Sequence, residues 1–112
     1  MNILILEDDQ TRIVKFKKKY MQHTLTFVEH AKDAIEALQN NMYNAIFLDH
    51  DLGGTQMNFD PEDCGTQVAE YIAANKIQEK TTIIIHSFNQ PASLRMLALI
   101  GENCQYVPGL WL

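Results

Sequence analysis

The sequence predicts an α/β protein with a single doubly wound, parallel, five-stranded sheet of strand order 2-1-3-4-5. Three observations predict this fold: short apolar runs alternate with segments of helical apolar spacing, the third run is apolar throughout, and polar residues follow directly after several runs. Strands that alternate with helices need right-handed crossover connections, which make the strands parallel. The chain has 112 residues, so we expect one domain spanning residues 1–112.

The first part of the chain predicts a strand, a helix and a strand, in that order. Residues 2–6 form a short apolar run that acidic residues close, which is typical of a buried strand. Over residues 10–20 apolar side chains recur at helical spacing, so we expect a helix with one face on the sheet, capped by Asp8 or Asp9. Residues 24–28 form the second predicted strand.

The middle of the chain predicts a second helix, a central strand and a long loop. Residues 31–42 carry a helical apolar stripe, and the pair Asn40-Asn41 suits a helix end. Residues 45–48 are apolar throughout, as expected of a strand that is buried on both faces. Residues 52–64 combine turn-forming residues with no sustained period, so we expect an unusually long loop beside the strand ends.

The last part of the chain predicts two further helices and two further strands. Residues 65–75 have helical apolar spacing, and residues 81–85 repeat the buried-strand pattern. A helix follows over residues 91–100 and stops at Gly101. Residues 105–107 predict a fifth strand at the sheet edge, after which too few residues remain for a last helix.

Charge and hydropathy patterning exclude several classes of function. A net charge of −5 disfavours general DNA or RNA binding, which depends on lysine and arginine contacts to phosphates, although local binding of an RNA end stays open. The first apolar run ends far short of a signal sequence or a membrane span, so we expect a cytoplasmic protein without membrane association. Cys64 and Cys104 lie far apart, which indicates free reduced thiols.

Polar side chains follow three of the predicted strands at their carboxyl ends. These residues are Glu7, Asp8 and Asp9 after the first strand, Asp49, His50 and Asp51 after the third, and His86 and Ser87 after the fourth. In an open α/β sheet this edge forms the ligand crevice. Carboxylates that converge there repel one another unless a hard cation such as Mg²⁺ binds their oxygens, and phosphate is then a further ligand. Helix capping would explain one of these acids but not all three strand ends.

The same segments resemble the receiver domains of two-component response regulators, which have a flavodoxin-like fold, over nearly the whole chain. The matching segments are Asn-Ile-Leu-Ile-Leu-Glu-Asp-Asp over residues 2–9, Arg12, Phe-Leu-Asp-His-Asp-Leu-Gly over residues 47–53, and Ile-Ile-Ile-His-Ser over residues 83–87. The chain departs from receivers in two ways. Residues 106–109 lack the lysine that receivers place before a proline after the fifth strand, and the last helix is missing.

The resemblance implies a role for each residue at the strand ends. Glu7 and Asp8 would hold the metal, and Asp49 would be both a metal ligand and the carboxylate that accepts a phosphoryl group. Asp51 would contribute its backbone carbonyl to the metal. Ser87 falls where receivers carry the hydroxyl of their switch.

In these departures the chain is similar to a divergent family of receivers, the cyclic-phosphate processing receiver domain. The chain shows the segments Glu7-Asp8-Asp9, His50-Asp51-Leu52 and His86-Ser87, together with a Gly65-Thr66 helix start. This resemblance implies action on cyclic phosphates, such as 2′,3′-cyclic phosphate ends of RNA or nucleotides, as in RNA repair.

Hydrolysis of a cyclic phosphate needs a base, an acid and a means of stabilising charge on phosphorus. His50 and His86 are candidates for the base and the acid, because imidazoles titrate near neutral pH. Strand geometry gives an alternative to catalytic roles for these two histidines. If Asp49 and Ser87 face the crevice, their neighbours His50 and His86 turn toward the covering helices and serve packing.

Three hypotheses for function follow. The first is a metal-dependent phosphoesterase for cyclic phosphates, with Glu7, Asp8 and Asp49 on the metal and a phosphate-containing small molecule or RNA end as the partner. The second is a receiver that is phosphorylated on Asp49 in a phosphorelay, which the missing lysine and helix count against. The third is a binding module of the same fold with no catalytic activity.

Overall fold

The computed structural model describes residues 1–49, 65–75, 81–86, 90–101 and 103–107, and these segments hold five strands and four helices. The strands are β1 (Asn2–Leu6), β2 (Thr24–Val28), β3 (Ala45–Leu48), β4 (Thr82–Ile85) and β5 (Cys104–Tyr106). The helices are α1 (Gln10–Lys19), α2 (Ala31–Asn40), α3 (Gly65–Asn75) and α4 (Gln90–Ile100). The long loop predicted over residues 52–64 lies outside the described residues, and so does the end of the chain after residue 107.

The strands form one sheet of order β2-β1-β3-β4-β5, in which every neighbouring pair is parallel. This confirms the predicted doubly wound fold. In this order the connection from β1 goes outward to β2, whereas β3 pairs on the other side of β1. The crevice between the ends of β1 and β3 is therefore the topological switch point, where open α/β sheets bind ligands.

The boundaries of α1 follow the predicted capping chemistry. The side chain of Asp9 accepts hydrogen bonds from the backbone N–H groups of Thr11 at 2.8 Å and Arg12 at 3.2 Å. These bonds satisfy donors that the first turn of a helix leaves without intrahelical partners. Asp9, and not Asp8, is thus the residue that caps α1.

Several predicted element boundaries differ from the structure by one or two residues, as the ends of α2 and β5 illustrate. The helix α2 ends at Asn40, and Met42, which was predicted to continue its apolar stripe, is 68% exposed. The chain leaves the helix because Asn41 has an extended backbone with φ −143°. The strand β5 begins one residue earlier than predicted, because Cys104 pairs in register with Ile83.

The core lies on both faces of the sheet and follows the alternation of side chains along each strand. On one face the strands pack against α2, α3 and α4; among the buried residues there are Leu4, Leu6, Ile46, Leu48, Ile83 and Ile85. On the other face Ile3, Ile5 and Phe47 pack against Phe16 of α1. Strands covered on both faces need apolar residues at successive positions, which explains the continuous apolar runs in the sequence.

The four helices of the described segments have 10 or 11 residues each, whereas a helix that spans a membrane has about 20. None of them is both long and apolar enough to cross a membrane.

Candidate functional site

The residues that directly follow β1, β3 and β4 form one row across the sheet. Leu6 pairs in register with Leu48, and Leu48 pairs with Ile85. The ladder continues for one more step, because the backbone N–H of Asp49 donates to Leu6 at 3.2 Å and that of His86 donates to Leu48 at 3.0 Å. Glu7, Asp49 and His86 therefore lie side by side.

This row faces α1. Side chains alternate along a strand, so Glu7 lies on the same face as Ile5, and Asp49 on the same face as Phe47. The three residues of the row are buried, with exposed fractions of 0% for Glu7, 2% for Asp49 and 1% for His86. One ligand atom from each lies within 4.8 Å of the others. The first polar residue after each of three apolar runs thus converges on one point.

The carboxylate of Glu7 accepts hydrogen bonds on both oxygens. Its Oε2 lies 2.7 Å from Nε2 of His86, and its Oε1 lies 3.0 Å from an Nη atom of Arg12 and 3.1 Å from the backbone N–H of Asp9. A carboxylate only accepts, so His86 donates through Nε2. Three donors, one after β4 and two at the start of α1, fix the orientation of this buried side chain. Their hydrogen bonds lower the cost of burying its charge.

His86 lies behind Glu7 and not at an open surface. Its ring packs edge-on against Phe16, with ring centroids 5.6 Å apart, and against Phe47 at 6.3 Å. Its second ring nitrogen, Nδ1, is buried without a hydrogen-bond partner in the part of the chain that the structure describes. This placement suits a residue that orients Glu7 by donating a hydrogen bond.

Arg12 brings a positive charge to the row from the covering helix. It lies one helical turn before Phe16, so both side chains extend from the same face of α1 toward the sheet. Besides its contact to Glu7, the Nη atom lies 3.5 Å from Oδ2 of Asp49. The Arg12 side chain is 27% exposed, whereas those of Glu7 and Asp49 are 0% and 4% exposed. Arg12 therefore bridges the two acids from the solvent side.

The start of α3 fixes the backbone of Asp49. A Cβ atom added to Gly65 would overlap the carbonyl oxygen of Asp49 and would come within 2.9 Å of Cε of Met96. Only glycine permits the helix to begin so close to the strand end. The Gly65-Thr66 motif in the sequence therefore has a steric cause.

The donor set of the row fits a hard divalent cation. Glu7 and Asp49 offer carboxylate oxygens from neighbouring strands, which are the ligands that Mg²⁺ prefers. The nitrogen of His86 is already bonded to Glu7, as expected of a residue that orients a metal ligand. Asp8, next in the chain to Glu7, is half-buried and does not belong to the three-residue group.

The structure thus brings together three of the predicted site residues and one that the prediction left without a role. Glu7, Asp49 and His86 are adjacent, and Arg12, quoted only as part of a motif, contacts two of them. His50, Asp51 and Ser87 lie outside the described residues. The helical spacing of four between Arg12 and Phe16 was the signal in the sequence that could have placed Arg12 over the sheet.

Comparison with known proteins identifies the family. Residues 2–102 match the family model of the cyclic-phosphate processing receiver domain. The chain belongs to this family. A comparison of the sequence with curated proteins finds no match.

Solved receiver domains share the fold of this cyclic-phosphate processing receiver domain. The signal receiver domain of a LuxO repressor protein from Vibrio parahaemolyticus superposes with a TM-score of 0.72 at 20% identity, covering 96% of this chain and 76% of the other. The receiver domain of a sensor histidine kinase from Pseudomonas aeruginosa, with a magnesium ion coordinated in its active-site cleft, gives a TM-score of 0.70 at 22% identity. The coverage is 99% of this chain and 86% of that receiver. These likenesses show the receiver fold.

Proposed function

We propose that this receiver domain hydrolyses cyclic phosphates with the help of a divalent cation, Mg²⁺ or a similar ion. The proposed substrate class is a 2′,3′-cyclic phosphate at the end of an RNA or on a nucleotide. One observation carries the proposal: two buried carboxylates on neighbouring strands, Glu7 and Asp49, meet at the switch point of the sheet. The family to which the chain belongs supports a cyclic phosphate as the substrate.

The proposed metal ligands are the side chains of Glu7, Asp8 and Asp49 and the backbone carbonyl of Asp51. A cation bound there would neutralise charge on phosphoryl oxygens and make a water molecule more acidic. Burial of Glu7 and Asp49 favours tight binding of such an ion, because the surrounding protein screens charge less than water does.

The reaction joins a water oxygen to phosphorus and breaks the bond between phosphorus and one ribose oxygen. The proton lost by water and the proton gained by the ribose oxygen need a base and an acid at the substrate. We assign both roles to His50, which would take the proton from water and then give it to the ribose oxygen, with Ser87 as a hydrogen-bonding group for phosphate. His86 acts as a positioning residue, because it is 1% exposed and bonded to Glu7.

The test is to incubate the protein with Mg²⁺ and a 2′,3′-cyclic nucleotide, or an RNA oligonucleotide with such an end, and to follow the phosphorus by ³¹P NMR. We expect conversion to a linear monophosphate that stops when the metal is chelated. Asp49→Asn should lower the rate by at least about 100-fold, since it removes a metal ligand. Asp33→Asn, the same change at an exposed position of α2, is the control and should be as active as wild type. No linear product with wild type would contradict the proposal.

A second candidate function is a receiver that carries a phosphoryl group on Asp49. The position of Asp49 directly after β3, beside Glu7, favours it. Incubation with acetyl phosphate and Mg²⁺ separates the two functions. A stable phosphoprotein that Asp49→Asn abolishes, without turnover of cyclic phosphate, would support the receiver function instead.

A further inference from the structure

We propose that Arg12 is a cation with two positions: it bridges Glu7 and Asp49 while the metal is absent, and it binds the phosphate of the substrate once the metal holds these carboxylates. This inference rests on the proposed function, because it assumes a metal and phosphate site. It adds a phosphate-binding residue to that site and predicts that the residue competes with the metal.

The structure shows Arg12 in the first of these two positions. The Nη atom of Arg12 lies 3.0 Å from Glu7 and 3.5 Å from Asp49, and so stands between two acids that would otherwise repel each other. Both carboxylates are almost fully buried, at 0% and 4% exposed. A positive charge is needed there for as long as no metal is bound, because an unpaired buried carboxylate is costly.

Metal binding would make this first position unfavourable. A divalent cation on the same carboxylate oxygens would lie only a few ångströms from the guanidinium, and like charges at that separation repel strongly in a poorly screened site. The metal and Arg12 therefore compete for Glu7 and Asp49.

The Arg12 side chain is partly exposed, whereas its backbone is held in place. The backbone N–H of Arg12 donates to the capping carboxylate of Asp9 at 3.2 Å, so the main chain of this turn is held. The side chain is 27% exposed, so part of it already contacts solvent. We expect a guanidinium displaced from the two carboxylates to stay close enough to bind a phosphate at the same site.

Arginine suits the second position because of its shape and charge. Its planar guanidinium donates two parallel hydrogen bonds to phosphate oxygens and keeps its charge at every physiological pH. In the sequence the segment Tyr106-Val107-Pro108-Gly109 after β5 carries no cationic side chain. Arg12, on α1, would therefore supply the phosphate with a positive charge that the segment after β5 does not provide.

The test compares wild type with Arg12→Gln, Arg12→Lys and the control Arg95→Gln, which removes the same charge from an exposed position of α4. Isothermal titration gives the Kd of Mg²⁺ alone, and then the Kd of inorganic phosphate at saturating Mg²⁺. For Arg12→Gln we expect Mg²⁺ to bind about fivefold more tightly and phosphate about tenfold more weakly. Arg95→Gln should match wild type in both.

Arg12→Lys provides the second variant if Arg12→Gln does not fold without metal. Lysine keeps the positive charge but lacks the planar guanidinium that donates two parallel hydrogen bonds. The affinity for Mg²⁺ should therefore stay near that of wild type while the affinity for phosphate falls. Unchanged phosphate affinity in both Arg12 variants, or Mg²⁺ affinity of Arg12→Gln no higher than that of Arg95→Gln, would overturn the inference alone. Absence of Mg²⁺ binding to wild type would overturn the proposed function with it.

Discussion

Glu7 shows how individual residues make a buried charge tolerable at this site. Its two oxygens receive hydrogen bonds from His86, Arg12 and the backbone of Asp9, so no part of the carboxylate is buried without a donor. Each donor comes from a different piece of local structure: a strand end, a helix face and a helix cap. The orientation of one proposed metal ligand therefore depends on three hydrogen-bond donors around it.

Replacing His86 tests this dependence. His86→Ala removes the donor to Glu7 and leaves a cavity beside Phe16 and Phe47, so we expect a loss of about 2–4 kcal/mol in the free energy of unfolding. Urea denaturation measures it. His86→Gln keeps a side-chain N–H donor and should recover part of the stability and of the Mg²⁺ affinity. Equal losses in the two variants would mean that the hydrogen bond does not matter.

Cys104 gives a prediction about pH. Burial raises the pKa of its thiol from the ordinary 9.0 to about 11, so the folded protein favours the protonated form. The unfolded chain ionises first as pH rises. The stability that Cys104 contributes is therefore fully present below pH 9.0 and is lost as pH approaches about 11. Urea denaturation at pH values below, within and above this window should show a smaller loss for Cys104→Ala than for wild type. An identical pH dependence in the two proteins would contradict this.

At the scale of elements, the starts of α1 and α3 position the site. The cap at Asp9 holds the turn that carries Arg12, and the start of α3 packs on the backbone of Asp49. Neither contact requires a catalytic group, yet each fixes the backbone of a residue at the site. The element boundaries are therefore part of the site.

Gly65→Ala tests the contact between α3 and Asp49. The added methyl group would overlap the Asp49 carbonyl, so the helix or the strand end must shift. We expect a loss of about 1–3 kcal/mol in the free energy of unfolding and a weaker affinity for Mg²⁺. Glu70→Ala, at an exposed position of the same helix, should change stability by less than about 0.5 kcal/mol. Full stability and unchanged Mg²⁺ affinity in Gly65→Ala would show that this close approach is not needed.

The sequence predicted most elements because their periodicity is local. Strands over residues 2–6, 24–28 and 45–48 and the helix over residues 65–75 match the structure in both bounds. The strand over residues 105–107 was off by one residue, because pairing with β4 and not composition sets where β5 begins.

The orientation of His86 was harder to predict, because it depends on the register between strands. Alternation along β4 indicated that His86 would turn away if Ser87 faced the crevice. The register shows that His86 is level with Asp49 and on the face that α1 covers, where its ring packs against Phe16. Register depends on the crossover connections, which span many residues, so local patterns did not reveal it.

At the scale of the whole molecule, the sheet is covered on two faces and open at the carboxyl ends of its strands. Apolar residues of β1, β3 and β4 fill both faces, and the row of Glu7, Asp49 and His86 begins where those runs stop. The order of the strands places this row at the switch point. The transition from apolar to polar residues in three segments of the sequence thus becomes a single acidic site in the fold.

The most direct measurement of the central claim is the anomalous diffraction of crystals soaked with Mn²⁺, which binds the same hard oxygen ligands as Mg²⁺. The account predicts an anomalous peak within about 2.5 Å of a carboxylate oxygen of Asp49, with Arg12 moved away from Glu7. Crystals with saturating Mn²⁺ but no peak at this row, and with Arg12 still on both carboxylates, would contradict it.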